Sequence, residues 1–285
     1  MKTHIILTIL CICAHSCTSN PFWDDSSKSE ITLSGSIIPE HLETDTRVFV
    51  WLEGFNIHTE TNEEDEFIIT LDDVIDDISG PMKIYFFIHN YSLDSVTVNF
   101  TNSRLSSNQS YISSSGRLLE TIYLKKIISC NIGSSTQIND LFEIEMPLID
   151  YDISMHQSAN IDIYRFPLSD SLDYNSGLIF HNISEDTIIL HRYTTFDEDG
   201  LLIQDQTYPL SLNRNEELIW IYLINEDQLD LSEGEYEIVP YFQVKHSYLP
   251  IGLINALGGN DIFTFSDKYL DMPNDVLSAT IVIEQ

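Results

Sequence analysis

The sequence predicts an all-β protein made of two β-sandwich domains, and three observations support this prediction. From residue 31 onward, short runs rich in Ile, Val, Phe, Tyr and Thr alternate with clusters of Asn, Asp, Ser and Gly. These runs recur at roughly 8–12-residue spacing, which is typical of sandwiches. Hydrophobic residues make up 43% of the 285-residue chain, with 14 Phe and 14 Tyr, so real cores can form despite a net charge of −32.

The first half of the chain shows the strand pattern clearly. In RVFVWLE (47–53) both alternating faces are apolar, which predicts a strand covered on both sides. The acidic stretch DDVIDDIS (72–79) fits a short helix or turn. Strands are predicted near 31–38, 47–53, 56–61, 66–71, 83–89, 94–101 and 118–128.

The second half, after about residue 130, repeats this pattern. Asp199-Gly200 between apolar runs predicts a tight hairpin turn, because Gly accepts positive φ. Gly234 precedes a long strand in which Pro240 predicts an edge or a bulge. A short helix is predicted around LINALGG (253–259). Strands are predicted near 140–146, 160–166, 177–182, 186–195, 201–208, 216–224, 234–245 and 278–284.

The start of the chain has the features of an export signal. Lys2 precedes an apolar run of about ten residues, which has signal-peptide length and falls short of the about 20 residues that a membrane-spanning helix needs. Ala14-His15-Ser16 before Cys17 is similar to a bacterial lipobox, although His15 departs from the usual pattern. Ordinary cleavage near Ala14 to Ser19 is the alternative.

We therefore expect a lipoprotein signal peptide over residues 1–16, lipidation of Cys17 and a flexible tether over 17–30. Thr18 after the cysteine is similar to the pattern that directs lipoproteins to an outer membrane. The expected location is thus the bacterial outer membrane or cell surface. The expected domains are one sandwich over residues 31–129 and another over 130–285.

Charge and cysteine content narrow the range of partners. The chain has 45 Asp and Glu against 13 Lys and Arg, which disfavours contact with nucleic-acid phosphates and with anionic lipid headgroups. Membrane attachment would therefore depend on a lipid at Cys17. Once the signal is removed and Cys17 is lipidated, Cys130 alone remains, so no disulfide framework is expected. Cys130 is predicted to be a small buried hydrophobe.

Residues 31–128 carry a series of hairpin motifs. These are a glycine within the first strand (LSGSI, Gly35), a strand ending in Gly54, the acidic turn NEEDEF with Phe67, a strand ending at Tyr91, and the closing strand GRLLETIYLKKI. The stretch resembles the carboxypeptidase regulatory-like domains of bacterial surface proteins, which are transthyretin-like sandwiches. Glu66 stands where the family usually has a glycine. The resemblance implies a non-catalytic module.

The second half resembles an immunoglobulin-like sandwich of bacterial extracellular modules and some proteinase inhibitors. The motifs that carry this resemblance are NISEDTIIL, a D-x-D-G hairpin, and Leu231, Gly234 and Tyr236 in a late L-x-x-G-x-Y strand. The resemblance assigns no functional residues.

No motif for catalysis or for a cofactor occurs in the sequence. The nine histidines lack H-E-x-x-H or H-x-x-x-H spacing, and no G-x-S-x-G elbow or phosphate-binding glycine loop is present. Asp197 and Asp199 are candidate calcium ligands, with an exposed acidic turn as the favoured alternative. Asp267, Asp271 and Asp275 are expected on a solvated loop.

Aromatic residues are the remaining candidates for binding. They could stack on sugars if they were exposed on a sandwich face, although alternating strand positions favour a core role. The candidates are Trp51, Trp220, Tyr222, Tyr241, Phe242 and Tyr248.

The sequence thus predicts a non-catalytic surface lipoprotein that acts by binding or scaffolding, with a protein or glycan as ligand and no cofactor. Two other hypotheses stay open: a proteinase inhibitor that uses a loop of the second sandwich, and an enzyme with a site assembled from dispersed loops.

Overall fold

The computed structural model confirms the all-β sandwich prediction. Short helices occur in its described part only near the C-terminal end. The structure describes residues 31–71, 78–107, 109–138, 141–150, 163–164, 175–192, 217–225, 231–244, 246, 248–263 and 266–284.

The first sandwich packs a three-stranded sheet, in the order β4-β1-β8, against a five-stranded sheet in the order β3-β2-β5-β6-β7. Its pairs are antiparallel except β1 with β8, which run parallel. The strands are β1 (Ile31–Pro39), β2 (Phe49–Leu52), β3 (Ile57–Glu60), β4 (Glu66–Leu71), β5 (Gly80–Phe87), β6 (Asp94–Thr101), β7 (Arg104–Leu105) and β8 (Ile122–Leu124).

The core of this sandwich follows the period-two alternation of its strands. On β1 the buried residues are Leu33, Gly35, Ile37 and Pro39, while Ser34, Ser36 and Ile38 face outward. At Gly35 an added Cβ would lie 2.4 Å from Cδ1 of Leu118, so only glycine lets Leu118 pack against this strand. The four residues of β2 are all buried, as the apolar pattern on both faces predicts.

The turn between β3 and β4 forms without a glycine. Asp65, not Glu66, takes the left-handed conformation, with φ of 58°. The Asn62 side-chain oxygen accepts hydrogen bonds from the backbone N–H groups of Glu64 and Glu66, at 3.0 and 2.9 Å. Asp tolerates this conformation better than most residues, so Glu66 is free to begin β4.

The second half forms a four-stranded sheet in the order β14-β13-β16-β18 and a sheet in the order β10-β11-β15, with β9 also paired to β11. A small third sheet pairs β12 with β17. The strands are β9 (Ile128–Cys130), β10 (Ser134–Ile138), β11 (Leu141–Asp150), β12 (Ile163–Tyr164), β13 (Asn175–Asn182), β14 (Thr187–Arg192), β15 (Glu217–Asn225), β16 (Gly234–Pro240), β17 (Gln243–Val244) and β18 (Ala279–Ile283).

The described core residues form three clusters. One lies inside the first sandwich and a second inside the other half, where Cys130 is buried as predicted. The third joins the two halves through the outer face of the five-stranded sheet. It also takes residues from helix α1 (Ile251–Leu257) and from two 3-10 helices, Gly259–Phe263 and Asp267–Tyr269.

Most predicted strands correspond to observed ones, and the helix predicted at 253–259 is α1. The predicted strand at 118–128 is wrong in part, because that segment is broken into β8, the start of β9 and isolated bridges at Arg117, Leu118 and Lys126. Strands β7 and β10 were not predicted. The predicted strand at 201–208 and most of the acidic stretch at 72–79 lie outside the described residues.

Candidate functional site

Several predicted site residues lie outside the part of the chain that the structure describes. These are Cys17 and the candidate calcium ligands Asp197 and Asp199. Within the described residues, no group of three or more His, Cys, Asp or Glu side chains is arranged to hold a metal ion. The helices described there include none that is long and apolar enough to cross a membrane.

The aromatic candidates divide between core and surface. Trp51, Tyr241 and Phe242 are buried, in agreement with the core role that strand alternation favours. Trp220 and Tyr222 belong to β15, opposite Met146 and Ile144 of β11. Tyr248 is 67% exposed, in the loop that precedes α1.

The outer face of the five-stranded sheet is covered. Its aromatic floor consists of Phe49, Trp51, Tyr85 and Phe87, all buried in the third cluster. Helix α1 packs so closely on this floor that a Cβ at Gly252 would lie 2.5 Å from the Trp51 ring. This face therefore serves as the junction between the two halves.

The opposite outer face of the first sandwich, on the three-stranded sheet, is open and unusually apolar. We call it the open face; it comprises the outward residues of β4, β1 and β8 and of the adjoining segment 111–119. Single exposed apolar side chains are normal on protein surfaces, whereas a group of them marks a binding site. Five large apolar side chains on this face are between 37% and 62% exposed: Ile38, Ile68, Tyr111, Leu119 and Tyr123.

The strand register places these side chains on one surface. Ile38 is directly opposite Tyr123 in the parallel β1–β8 pair, and Ile68 is opposite Ser34 in the antiparallel β1–β4 pair. Ile112 and Leu118 pair through a bridge with both side chains buried. Because alternate residues point to opposite faces, the neighbouring Tyr111 and Leu119 face outward together.

Between the apolar groups, the open face carries small hydroxyl residues and one balanced charge pair. Arg117 Nη2 lies 3.7 Å from Oε1 of Glu66. The hydroxyl residues that project from β1 and β4 are Thr32, Ser34, Ser36 and Thr70. These hydroxyl side chains are short, whereas Tyr111 and Tyr123 on the same face are large and 59% and 56% exposed.

A second cluster is mostly buried and contains an acid that the sequence had suggested would be solvated. Asp267 and Asp271 are exposed as expected, but Asp275 is 0% exposed, so that expectation is wrong for Asp275. Its Oδ2 lies 2.8 Å from Nζ of the equally buried Lys126. Nζ also lies 2.7 Å from Oε2 of Glu43, whose side chain is 27% exposed. We call Lys126, Asp275 and Glu43 the charge triad.

Hydrogen bonds surround the Asp275 carboxylate. Oδ1 accepts from the backbone N–H groups of Glu43 and Thr44, at 3.0 and 2.9 Å, and from the Thr44 hydroxyl at 2.8 Å. Oδ2 accepts from the Tyr91 hydroxyl at 2.8 Å. Burial alone would raise the pKa of Asp275, but the hydrogen bond and charge of Lys126, helped by Thr44 and Tyr91, bring that pKa below its ordinary value.

Buried amides extend the network into both halves. Asn90 Nδ2 donates to the Asp275 carbonyl at 2.7 Å, and Asn90 Oδ1 accepts from the Asp275 N–H at 3.0 Å. Asn131 Nδ2 donates to Glu43 Oε2 at 2.7 Å, and its Oδ1 accepts from the Leu277 N–H at 2.8 Å. The C-terminal segment before β18 is thereby fixed to the first sandwich.

One part of the triad had a detectable sequence signal. In YLKKII the alternation of a strand puts Lys126 on the same side as Leu124 and Ile128, which are both buried. Asp275 had none, because DKYLDMPND contains three acids in similar polar contexts. Only the tertiary contact with Asn90 and Lys126 separates Asp275 from its neighbours.

Two histidines lie together at the same junction. His89 Nε2 accepts a hydrogen bond from the Val244 N–H at 3.2 Å, and His246 Nε2 lies 2.9 Å from the His89 carbonyl oxygen, to which it can donate. Among the described residues, His89 Nδ1 finds no hydrogen-bond partner. Burial and the nearby His246 lower the pKa of His89 to about 3, so this side chain is neutral in the folded protein.

Comparison with known proteins gives neither a family nor a curated relative. No family model matches the sequence, and no curated protein matches it. Among solved structures, a protein from Bacteroides uniformis described as a "putative carbohydrate binding protein" aligns with 76% of this chain and 96% of its own, at TM-score 0.33 and 10% identity.

Two DUF3823 family proteins align in a similar way. The one from Bacteroides ovatus has TM-score 0.27 and 10% identity, covering 77% of this chain and 97% of its own. The one from Parabacteroides merdae has TM-score 0.30 and 8% identity, covering 75% and 94%. Likeness at this level carries no conclusion about family or function.

Proposed function

We propose that the protein is a non-catalytic binding module that holds an uncharged glycan on its open face. The observation that carries this proposal is the group of five exposed apolar side chains, including Tyr111 and Tyr123, on the outer face of the three-stranded sheet and its adjoining segment. A sandwich domain has two outer faces. In the first sandwich, α1 and its neighbouring segments cover the outer face of the five-stranded sheet. Of the two outer sheet faces of the first sandwich, the open face is thus the one left for a ligand.

The chemistry of the open face favours a sugar. Tyrosine rings offer apolar faces for the C–H groups of a pyranose and a hydroxyl for its polar rim. Hydroxyl side chains and the Arg117–Glu66 pair provide donors and acceptors beside these rings. Arg117 and Glu66 balance each other within a chain of net charge −32, which favours a ligand without charge.

The proposal includes the predicted cellular setting. Export by the signal at residues 1–16 and lipidation of Cys17 would place the module at the bacterial cell surface, where glycans are met. The arrangement proposed for the chain remains a tether over 17–30, a carboxypeptidase regulatory-like sandwich over 31–129 and an immunoglobulin-like sandwich over 130–285. The open face belongs to the first of these domains.

The proposal is tested by replacing the exposed tyrosines. Tyr111→Ala and Tyr123→Ala each remove one stacking ring, and we expect binding to neutral oligosaccharides to weaken by about tenfold for each. Binding is measured on an array that carries neutral and anionic glycans, followed by calorimetry on the strongest neutral ligand.

Tyr248→Ala is the matched control, because Tyr248 is exposed to a similar extent but lies outside the open face. This variant should bind as the unaltered protein does. The proposal would be contradicted if the protein bound no glycan or bound anionic glycans selectively. It would also be contradicted if the Tyr111 and Tyr123 variants bound neutral glycans as tightly as the unaltered protein does.

A further inference from the structure

The charge triad brings a buried amine into contact with a buried carboxylate and with a second, partly exposed carboxylate. We propose that Lys126 and Asp275 condense to an isopeptide bond between Nζ and Cγ, with Glu43 as the proton carrier. The bond would join the end of the first sandwich to the segment before β18. Its formation needs no oxidant and no second protein, because an amine and a carboxylic acid condense with loss of one water.

The reacting atoms already lie close together. Lys126 Nζ is 2.8 Å from Oδ2 of Asp275, and the carbon to be attacked is one bond beyond that oxygen. Both side chains are 0% exposed, and the β-bridge from Lys126 to Tyr91 fixes the lysine backbone. Fixed proximity of this kind replaces a bimolecular encounter with a step inside one folded molecule.

The surroundings of Oδ1 can stabilise the tetrahedral intermediate. Two backbone N–H groups and one hydroxyl, from Glu43 and Thr44, point at this oxygen at 2.8 to 3.0 Å. An oxyanion hole in an acyl-transfer enzyme uses the same kind of donors at the same distances. The donors that stabilise the carboxylate before the reaction would therefore also stabilise the negative charge that develops on Oδ1.

The protons balance through groups that are in contact. The Lys126 ammonium gives one proton to Oδ2, which leaves a neutral amine and a carboxylic acid. Nζ then attacks Cγ while Glu43 Oε2, at 2.7 Å from Nζ, accepts a second proton. Glu43 returns this proton to the departing hydroxyl group, so one water is released and Glu43 ends as a carboxylate.

The site also offers a path by which the released water can reach the solvent. Lys126 and Asp275 are closed off from solvent, which disfavours hydrolysis of the new bond, whereas Glu43 is 27% exposed and leads to the surface. The first proton transfer runs against a strongly held ion pair, so we expect the bond to form slowly after folding. A cross-link of this type would keep the segment before β18 attached to the first sandwich and so would help the protein to resist proteases.

The test is an intact mass comparison of the full chain with its Lys126→Arg variant. Arginine keeps the positive charge but lacks the lysine amine that forms the bond. The two sequences define the mass difference that the substitution alone would cause. The unaltered protein should be lighter than this difference predicts by one water, about 18 Da. This difference is independent of processing at the N-terminus. Samples are measured freshly purified and after prolonged incubation.

Peptide mapping locates the bond, and two further variants test whether Glu43 carries the proton and whether Lys126 is the lysine that reacts. Digestion should yield one branched peptide that contains both Lys126 and Asp275. Glu43→Gln should greatly slow the loss of water, whereas Lys125→Arg, at the exposed neighbouring lysine, should leave it unchanged.

Peptide mapping of the unaltered chain decides the matter even if a variant fails to fold, because the branched peptide is independent of processing at the N-terminus. Full mass after prolonged incubation would overturn the proposal, and so would a loss of water that maps to another pair of residues. Glycan binding is measured separately, because the open face and the triad share no residue.

Discussion

At the scale of single residues, the polar groups buried at the junction of the two halves have the largest consequences. His89 is enclosed by Phe242, Phe263 and His246, whose ring centroids lie 5.5 to 6.1 Å from its own. Burial also lowers the pKa of His246, where the His89 carbonyl opposes the shift. Both side chains therefore favour the uncharged form, and any proton they take up works against the folded state.

We predict that stability falls with decreasing pH through these histidines. The pKa of His89 is about 3 in the folded protein, against an ordinary value of about 6.5 in the unfolded chain. Between about pH 3 and pH 6.5, the unfolded chain binds a proton at His89 and the folded protein does not. The contribution of His89 is thus complete above about pH 6.5, and about 1.4 kcal/mol is lost for each pH unit below it.

Urea unfolding at several pH values between 7 and 5 measures this effect. His89→Gln keeps a side-chain acceptor for the Val244 N–H but cannot take up a proton, so its stability should depend less steeply on pH. His58→Gln, at an exposed histidine, should keep the slope of the unaltered protein. Equal slopes for the His89 variant and the unaltered protein would show the prediction to be wrong.

At the scale of elements, β1 is the central strand of the three-stranded sheet in the first sandwich. It pairs with β4 on one side and with β8 on the other, and further pairs with Arg117 through a bridge at Ser34. Leu118 follows that bridge and lies directly over Gly35. The packing of the 111–119 segment, which carries part of the open face, therefore depends on the missing side chain at Gly35.

Gly35→Ala should destabilise the protein by about 1 to 3 kcal/mol, because the new methyl group overlaps the Leu118 side chain. Leu118→Ala alone should also destabilise, through the cavity it leaves. In the double variant the methyl group fits the space that Leu118 vacates, so the combined loss should be smaller than the sum of the two. Chemical denaturation of the four proteins measures this, and strict additivity would argue against the contact.

At the scale of the whole molecule, the two halves share one buried cluster. It combines Phe49, Trp51, Tyr85 and Phe87 from the first sandwich with Ile179, Val239 and Tyr241 from the second half, and α1 fills the space between them. The Asn90, Asn131 and Asp275 hydrogen bonds lie beside it. Burial of this extent at the junction should couple the unfolding of the halves.

We expect the unaltered protein to unfold in a single calorimetric transition. Leu253→Asp puts a charge into the shared cluster, where Leu253 is 0% exposed, and should split the transition in two or lower its midpoint by several degrees. Ile251→Asp is the control, since Ile251 lies on the same helix and is 76% exposed. Two transitions in the unaltered protein would contradict the coupling.

The strands could be predicted because their signal is local. Alternation within EFIITL and the two apolar faces of RVFVWLE depend only on neighbouring residues, and β4 and β2 occur where these patterns predict. Segments with little periodicity, such as 118–128, were predicted poorly, since their pairing depends on distant partners. Trp51 is buried within β2 as its pattern predicts, whereas the adjacent Tyr241 and Phe242 lie between β16 and β17 and are buried by tertiary packing.

By itself, the sequence determined an all-β sandwich fold, a buried Cys130 and a strongly acidic chain. Which sheet face stays open and which acid is buried were decided by the tertiary structure alone. Ile68 and Ile69 look alike in sequence, yet one is exposed and the other is in the core. Asp271 and Asp275 differ in the same way. A sheet face or a charged side chain is buried by elements that are distant in the chain, so a local sequence pattern contains no information about that burial.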